Sequence, residues 1–259
     1  MVPLPSVFIS PGSPMHALEA GPAGLAWAAL GKRLGKPKAI LIASAHWETN
    51  IPMVTGTSRP ETIHDFSGFP EPLYRLRYTA PGSPAVAQRV AALLKQQGVT
   101  AAIDGTRGLD HGAWAPLLYA YPQADIPVVQ LSVQPDFGPT HHVALGRALR
   151  PLSDEGVLVV GSGHLTHNLR DWDRSGRSAP MPYAKEFQHW VFERIEAHAL
   201  DDLVEYRSLS PHGVRAHPTD EHFLPLFVAL GAARDDTRPE RVFDQIESGA
   251  LAMDAYVFH

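Results

Sequence analysis

Short apolar runs recur along the chain and predict buried strands. Residues 38–45 and 126–133 are aliphatic stretches of strand length, and shorter runs of the same kind occupy residues 6–10 and 157–160. Runs of this length, bounded by turn residues, are typical of strands that are covered on both faces. The pattern therefore predicts strands in the interior of a sheet.

Apolar residues at helical spacing fill the stretches between these runs and predict helices. Proline near the first helical position and glycine just past the last one mark several boundaries. The predicted helices cover residues 22–34, 84–98 and 140–150, and two more begin at Pro182 and Pro218. Because strands alternate with helices, we expect an α/β fold with a central, mostly parallel or mixed sheet flanked by helices. We expect residues 1–259 to form a single domain.

One long stretch, residues 55–83, follows neither pattern. It is rich in proline, glycine and threonine, and it carries the aromatic residues Phe66, Phe69 and Tyr74. Long connections of this composition are usually functional, as binding loops or lids. We therefore expect this stretch to contribute to a binding site.

Composition excludes several classes of site. The 259-residue chain has a net charge of −5 and no basic block, so we expect no nucleic-acid partner. It has no cysteine, which rules out disulfides, thiolate metal sites and thiol nucleophiles. No charged segment followed by a long apolar one opens the chain, and no apolar run reaches the ~18 residues of a membrane span. We therefore expect a cytoplasmic protein without a membrane partner.

Histidines follow the predicted strands and point to one shared site. His46 comes directly after the run 38–45, and His164 and His167 follow the run 156–163. Ligands of open α/β sheets bind beyond the carboxyl ends of the strands. Neutral imidazole is the commonest metal ligand, and thiolate-free histidine sites suit Fe(II), Zn(II) or Cu(II). A histidine that satisfies a backbone carbonyl is the plainer alternative for His46.

Two further histidines lie near predicted helix starts. His222 falls in the first turns of the helix predicted from Pro218, and the carboxylate of Glu221 is interpreted as favourable charge on the helix dipole. His111 follows Asp110, a residue type that caps helices, and stands close to Trp114. Both histidines could therefore serve structure as well as chemistry.

Several ordered segments resemble one family along nearly the whole chain, the class III extradiol ring-cleavage dioxygenases, in their bacterial DOPA 4,5-dioxygenase-like branch. The matching segments include Gly12-Ser13-Pro14-Met15, Ser44-Ala45-His46-Trp47-Glu48, Thr62-Ile63-His64-Asp65-Phe66, Leu109-Asp110-His111-Gly112-Ala113-Trp114, Gly161-Ser162-Gly163, His167-Asn168-Leu169 and Glu221-His222-Phe223-Leu224-Pro225. The resemblance implies an enzyme that holds one mononuclear non-haem metal, Fe(II) or Zn(II), and cleaves the ring of a small catechol-type substrate with O2. The sequence leaves the oligomeric state open, and a homo-oligomer is one alternative.

The resemblance also implies roles for individual histidines. His46 and His222 match metal-binding histidines of the family. His167 matches the acid/base histidine beside the metal, which is sometimes counted as a ligand, and an imidazole that titrates near neutral pH suits that role. His111 matches a pocket histidine that orients the substrate.

A catechol ring also needs an apolar wall that excludes water, and three aromatic residues are candidates. Phe66 and Phe69 lie in the long loop, and Trp114 follows His111 closely. We expect these three side chains to bind the substrate.

One position departs from the family pattern. Relatives carry a metal-binding histidine before Gly-Ser-Pro, whereas this chain has Pro11, which offers neither a side-chain donor nor a backbone N–H. Four interpretations stay open: His167 completes the metal site, His16 loops back to it, the protein is a metal-poor or inactive relative that binds aromatics, or Pro11 is an engineered or mistaken substitution. A zinc-dependent hydrolase with a metal-activated water is the rival enzyme class.

Overall fold

An eight-stranded mixed sheet runs through the middle of the molecule, in the order β4-β3-β5-β2-β6-β1-β10-β7, and a two-stranded β8-β9 sheet lies apart from it. The structure is a computed structural model that describes residues 3–173, 175–235 and 238–259. The strands are β1 (Ser6–Ile9), β2 (Ala39–Glu48), β3 (Met53–Thr55), β4 (Ala102–Asp104), β5 (Val128–Val133), β6 (Val157–Ser162), β7 (Pro239–Phe243), β8 (Ile246–Glu247), β9 (Leu251–Ala252) and β10 (Ala255–Phe258).

Helices cover both faces of the sheet. They are α1 (Gly21–Leu34), α2 (Glu71–Arg75), α3 (Pro84–Gln96), α4 (His111–Ala120), α5 (Gly138–Leu149), α6 (Pro151–Glu155), α7 (Pro182–Glu196), α8 (Leu200–Val204), α9 (Tyr206–Leu209), α10 (Gly213–Ala216) and α11 (Leu224–Ala232), with short 3-10 turns at Pro14–Ala17 and Pro135–Phe137. The predicted α/β fold with a mixed sheet flanked by helices is confirmed. None of the helices in the described ranges is long and apolar enough to cross a membrane.

The four central strands, β5, β2, β6 and β1, are parallel and buried, as their apolar runs predicted. Along β2, Ile40 and Ile42 belong to one core cluster with α1 and α4, while Leu41 and Ala43 belong to another with α3, α5 and α11. This alternation is the period-two geometry of a strand, and each large aliphatic side chain so buried contributes about 1.5–3 kcal/mol. Two packed faces therefore hold the strand ends rigidly in place.

The helix predicted from Pro218 begins later, at Leu224, and this correction moves His222 off the helix. Residues 218–223 form turns instead, in which the Phe223 N–H donates to the Asp220 carbonyl at 2.9 Å. Pro225 fits the first turn of a helix, where its missing N–H costs nothing. His222 therefore sits in a turn, where its side chain faces the strand ends.

Close packing between β6 and this turn depends on two glycines. A Cβ on Gly161 would lie 2.1 Å from the Pro225 carbonyl oxygen, and a Cβ on Gly163 would lie 2.2 Å from the His222 carbonyl oxygen. Such distances are well inside van der Waals contact, so only glycine permits this approach. The glycines predicted to allow close approach of a ligand thus bring the backbone carrying His222 against the end of β6.

Candidate active site

Three parallel strands, β1, β2 and β6, are aligned at one edge of the sheet, where histidines follow the aligned residues. Ile9 of β1 and Ser44 of β2 are both in register with Ser162 of β6. His46 and His164 each lie two residues beyond that level, His46 within β2 and His164 just after the end of the neighbouring β6. The carboxyl-end site expected from the sequence therefore exists, although β2 continues to Glu48, so that His46 lies within the strand and not after it.

Five imidazoles meet at this edge and form what we call the five-histidine cluster: His46, His111, His164, His167 and His222. The ring of His46 is 4.0 Å from that of His111 and 5.0 Å from that of His222, measured between centroids. His222 stacks on His167 at 3.4 Å, and His167 lies 5.3 Å from His164. The cluster contains all four histidines that the sequence assigned to the site.

Within this cluster, the described residues form two compact sets of donor atoms. One set is His164, His167 and His222, and the other is His46, Asp65 and His111, with all donor atoms of a set within 4.8 Å of one another. His46 and His222 thus belong to different sets, although their rings are 5.0 Å apart. The two sets are therefore adjacent, and the rings of His46 and His222 are neighbours across the boundary between them.

A neighbouring carboxylate orients His222. Its Nδ1 is 2.9 Å from Glu221 Oε1, so Nδ1 carries the proton and Nε2 keeps its lone pair. That Nε2 is buried and has no hydrogen-bond partner among the described residues. An imidazole held by a carboxylate with its other nitrogen free is a typical metal ligand, and it fits the metal that the resemblance implies.

A second carboxylate holds His111. Asp65 Oδ1 accepts the His111 backbone N–H at 2.8 Å, and Oδ2 lies 2.8 Å from His111 Nδ1 and 3.3 Å from His46 Nδ1. The backbone of Asp65 is open to solvent, but its side chain is only 18% exposed. Burial acts to raise the pKa of Asp65, but the contacts with His111 outweigh it and lower that pKa to about 2. The carboxylate is therefore charged and fixed between the two rings.

Burial favours the neutral form of His46 and His167 by lowering the pKa of each. It lowers the pKa of His46 to about 3, with a further decrease from the positive charge that His111 can carry, and it lowers the pKa of His167 to about 4. The sequence led us to expect that His167 titrates near neutral pH, and this expectation is corrected because the ring is largely removed from water. At pH 7 His167 is a neutral base with an available lone pair.

Aromatic side chains of the long loop form a wall beside His111. Phe66 packs at 5.5 Å from the His111 ring and at 5.4 Å from Phe69, and both phenylalanines are half-buried. Trp114 is fully buried, lies 6.3 Å from Phe66, and donates its Nε1–H to the Ile63 carbonyl at 2.8 Å. Phe66 and Phe69 thus form the partly exposed surface of the wall beside His111, and the buried Trp114 packs against Phe66.

His16 lies outside the cluster. Its Nε2 is 2.8 Å from Glu247 Oε2, and its ring packs edge-on against Trp27 at 5.6 Å. Glu247 and Trp27 thus hold the His16 ring in contacts away from the five-histidine cluster. Nothing in the structure therefore supports the interpretation that His16 loops back to replace the donor missing at Pro11.

Sequence reasoning missed three members of the site. Glu221 was interpreted as a helix-dipole charge, but the helix begins three residues later and the carboxylate contacts His222 instead. Asp65 stands in the matching segment Thr62-Ile63-His64-Asp65-Phe66, but the sequence assigned it no role, since it comes from an irregular loop. His164 was expected at the shared site after the run 156–163, but no role there was assigned to it.

The predicted helix cap at Asp110 is also corrected. Asp110 precedes α4, but its side chain makes no capping hydrogen bond. It accepts instead from Ser44 Oγ at 2.7 Å and from Gln130 Nε2 at 2.8 Å, fully buried between β2 and β5. This network fixes the strand segment that leads to His46.

Known proteins match nearly the whole chain. Residues 5–258 match the family model described as the catalytic LigB subunit of aromatic ring-opening dioxygenase. A Beta vulgaris protein named 4,5-DOPA dioxygenase extradiol is 42% identical over 255 residues, which cover 97% of this chain and 95% of that protein. A protein of the same name from Escherichia coli (strain K12) is 41% identical over 257 residues, which cover 96% of this chain and 93% of that protein.

A solved structure matches the fold over the same extent. The crystal structure of an uncharacterized protein from Escherichia coli K12 superposes with a TM-score of 0.85 at 35% sequence identity, covering 99% of this chain and 100% of that one. Agreement over this extent shows that the two chains share one fold.

Proposed function

Because this chain belongs to the family of the catalytic LigB subunit of aromatic ring-opening dioxygenase, we propose that the five-histidine cluster is its active site. The resemblance found in the sequence is confirmed, and the protein is an extradiol dioxygenase that opens the ring of a catechol-type aromatic. The metal, the ligands and the residue roles given below are our proposals.

We propose that His46 and His222 hold one mononuclear metal, with His167 as a further donor. The buried Nε2 of His222, which has no partner among the described residues, and the neutral state of His46 and His167 support this assignment. When bound, Fe(II) would supply the redox chemistry that lets an aromatic diol react with O2, whereas Zn(II) has no accessible redox change. We therefore expect Fe(II) to give the active form and Zn(II) to bind without turnover.

The histidines provide the proton chemistry. A neutral ring nitrogen of His167 accepts a proton from a catechol hydroxyl, as its lone pair is available at pH 7. His111 donates Nδ1–H to Asp65, which leaves Nε2 as an acceptor for the second hydroxyl. His167 thus acts on the diol as a base, and His111 orients the diol by accepting a hydrogen bond from it.

The aromatic wall sets the position of the ring. Phe66 and Phe69 offer apolar faces beside His111 and exclude water from the reacting edge. Relatives are named for DOPA, so we propose a catechol with a short polar side chain as the first substrate to assay.

The observation that carries this proposal is the convergence of five imidazoles, three buried and two partly buried, at the carboxyl edge of the sheet. The test is to load the purified protein with Fe(II) without oxygen, add DOPA, admit air and follow the yellow ring-opened product. Zn(II)-loaded protein and a His189→Gln variant, which changes an exposed histidine, are the controls.

Three outcomes separate the candidates. A ring-opened product that needs Fe(II) and O2 supports the proposal. Ester hydrolysis by the zinc form, without ring opening, would favour the hydrolase, and catechol binding without turnover would favour the inactive relative. We further propose that residues 1–259 act as one catalytic domain in the cytoplasm, without nucleic-acid or membrane partners.

A further inference from the structure

The position where relatives supply an imidazole holds no donor in this chain. Pro11 is buried at the end of β1 and has neither a side-chain heteroatom nor a backbone N–H. In the proposed function, His167 is both a metal ligand and the base that accepts the proton. A further metal ligand at this edge would leave His167 with the role of base alone.

His164 lies in the right place to be that donor. Ile9 of β1 is in register with Ser162 of β6, and the Gly163 N–H donates to the Ile9 carbonyl at 3.0 Å. Pro11 and His164 each lie two residues beyond this paired level. The imidazole missing from β1 thus has a counterpart on the adjacent strand.

The ring of His164 lacks partners. The residue is 2% exposed, and neither Nδ1 nor Nε2 has a hydrogen-bond partner in the described part of the chain. Buried imidazoles normally place both nitrogens on donors, acceptors or metals, because an unpaired buried polar atom destabilises the fold. His142, by contrast, is equally buried but uses both nitrogens, on the Gln134 N–H and the Gly138 carbonyl.

The partners that His164 needs for a metal site are adjacent. Its donor atoms lie within 4.8 Å of those of His167 and His222. The backbone is held there, since the His164 N–H donates to the His222 carbonyl at 2.7 Å. His222 Nε2 is also buried without a partner among the residues described. Unpartnered ring nitrogens of His164 and His222 therefore lie close together.

We propose that His164 is a metal ligand that replaces the donor missing at Pro11, together with His46 and His222. This inference rests on the proposed function. Three neutral imidazoles leave coordination positions for a diol and O2, whereas His167 stays free to accept the proton.

Metal binding without substrate tests the proposal. Anaerobic titration with Fe(II) and with Co(II), followed by calorimetry and by the visible spectrum of Co(II), gives affinity and stoichiometry for native protein, His164→Leu, Pro11→His and the double variant. His142→Gln is the matched control, since it changes a buried histidine outside the cluster. Circular dichroism and thermal unfolding without metal check that each variant folds, and His164→Asn replaces His164→Leu if the latter does not.

We expect His164→Leu to weaken binding more than about 100-fold, since even outer partners of ligands contribute 10–100-fold. Pro11→His should restore most of that loss in the double variant and change the native protein by less than about threefold, as expected for coupled donors. His142→Gln should bind normally.

Two results would overturn the inference while leaving the proposed function intact. One is a His164→Leu variant that binds metal as tightly as the native protein. The other is a Pro11→His gain of equal size with and without His164. If the native protein binds neither Fe(II) nor Co(II), both proposals fail together.

Discussion

The substitution Asp65→Asn tests whether the Asp65 carboxylate orients His111 for catalysis. The amide keeps the shape and can still accept the His111 backbone N–H, which is 2.8 Å away. It loses the negative charge and the acceptor that lies 2.8 Å from His111 Nδ1. The variant therefore removes the group that fixes the tautomer and orientation of His111, without opening a cavity.

The size of the effect follows from these contacts. One hydrogen bond to a charged group contributes about 1.5–3 kcal/mol, which corresponds to about 10–150-fold in rate. Because the side chain is 18% exposed, part of this energy is screened, and we expect kcat to fall about 10–50-fold. KM should change less, since Phe66 and Phe69 still contact the ring.

The assay is steady-state ring opening by Fe(II)-loaded protein, with metal content measured on the same samples. Asp136→Asn, which changes an exposed carboxylate outside the five-histidine cluster, is the control and should keep native rates. An Asp65→Asn enzyme with native kcat would refute the role of this carboxylate. A loss of metal in proportion to the loss of rate would show instead that Asp65 acts through His46.

Three further predictions concern separate parts of the molecule. With His164 as the third metal ligand, His167→Gln should lower kcat far more than it changes KM or metal content; an unchanged kcat would refute the base assignment, and a loss of metal would show that His167 is itself a ligand. Gly163→Ala should destabilise the fold and weaken Fe(II) binding, since its Cβ would lie 2.2 Å from the His222 carbonyl; native metal affinity would contradict this. Burial lowers the pKa of His142 to about 4, so the protein is stabilised above pH 6.5 and loses about 3 kcal/mol from this group as pH falls to 4. Urea unfolding at both pH values should show a smaller loss in His142→Gln.

The sequence predicted the fold well where burial on two faces leaves a simple pattern. The runs around Ile40 and Val129 have no polar interruption, so strand and sheet position could be inferred. The C-terminal strands β7 to β10 were missed, because β8 and β9 have two residues each and β7 is only half-buried.

The candidate site was predicted in part, for a related reason. His46, His167 and His222 are carried by motifs, whereas the contacts of Asp65 and Glu221 depend on how loops fold over the strand ends. His142 is fully buried on α5, although local spacing does not show which face of that helix packs inward. Side-chain partners set by tertiary packing are not encoded in local periodicity.

The alignment of β1, β2 and β6 at Ile9, Ser44 and Ser162 also bears on when, during biosynthesis, the protein can acquire the metal that we propose for His46 and His222. The strands are neighbours in space, but His46 and His222 are far apart in the chain, so no growing polypeptide can join them before the turn at residues 218–223 has been made. Closing such long-range contacts is slow and comes late in folding. Under that assignment, metal uptake reports that synthesis has passed this turn, and a chain that ends before residue 218 should be unable to retain the ion.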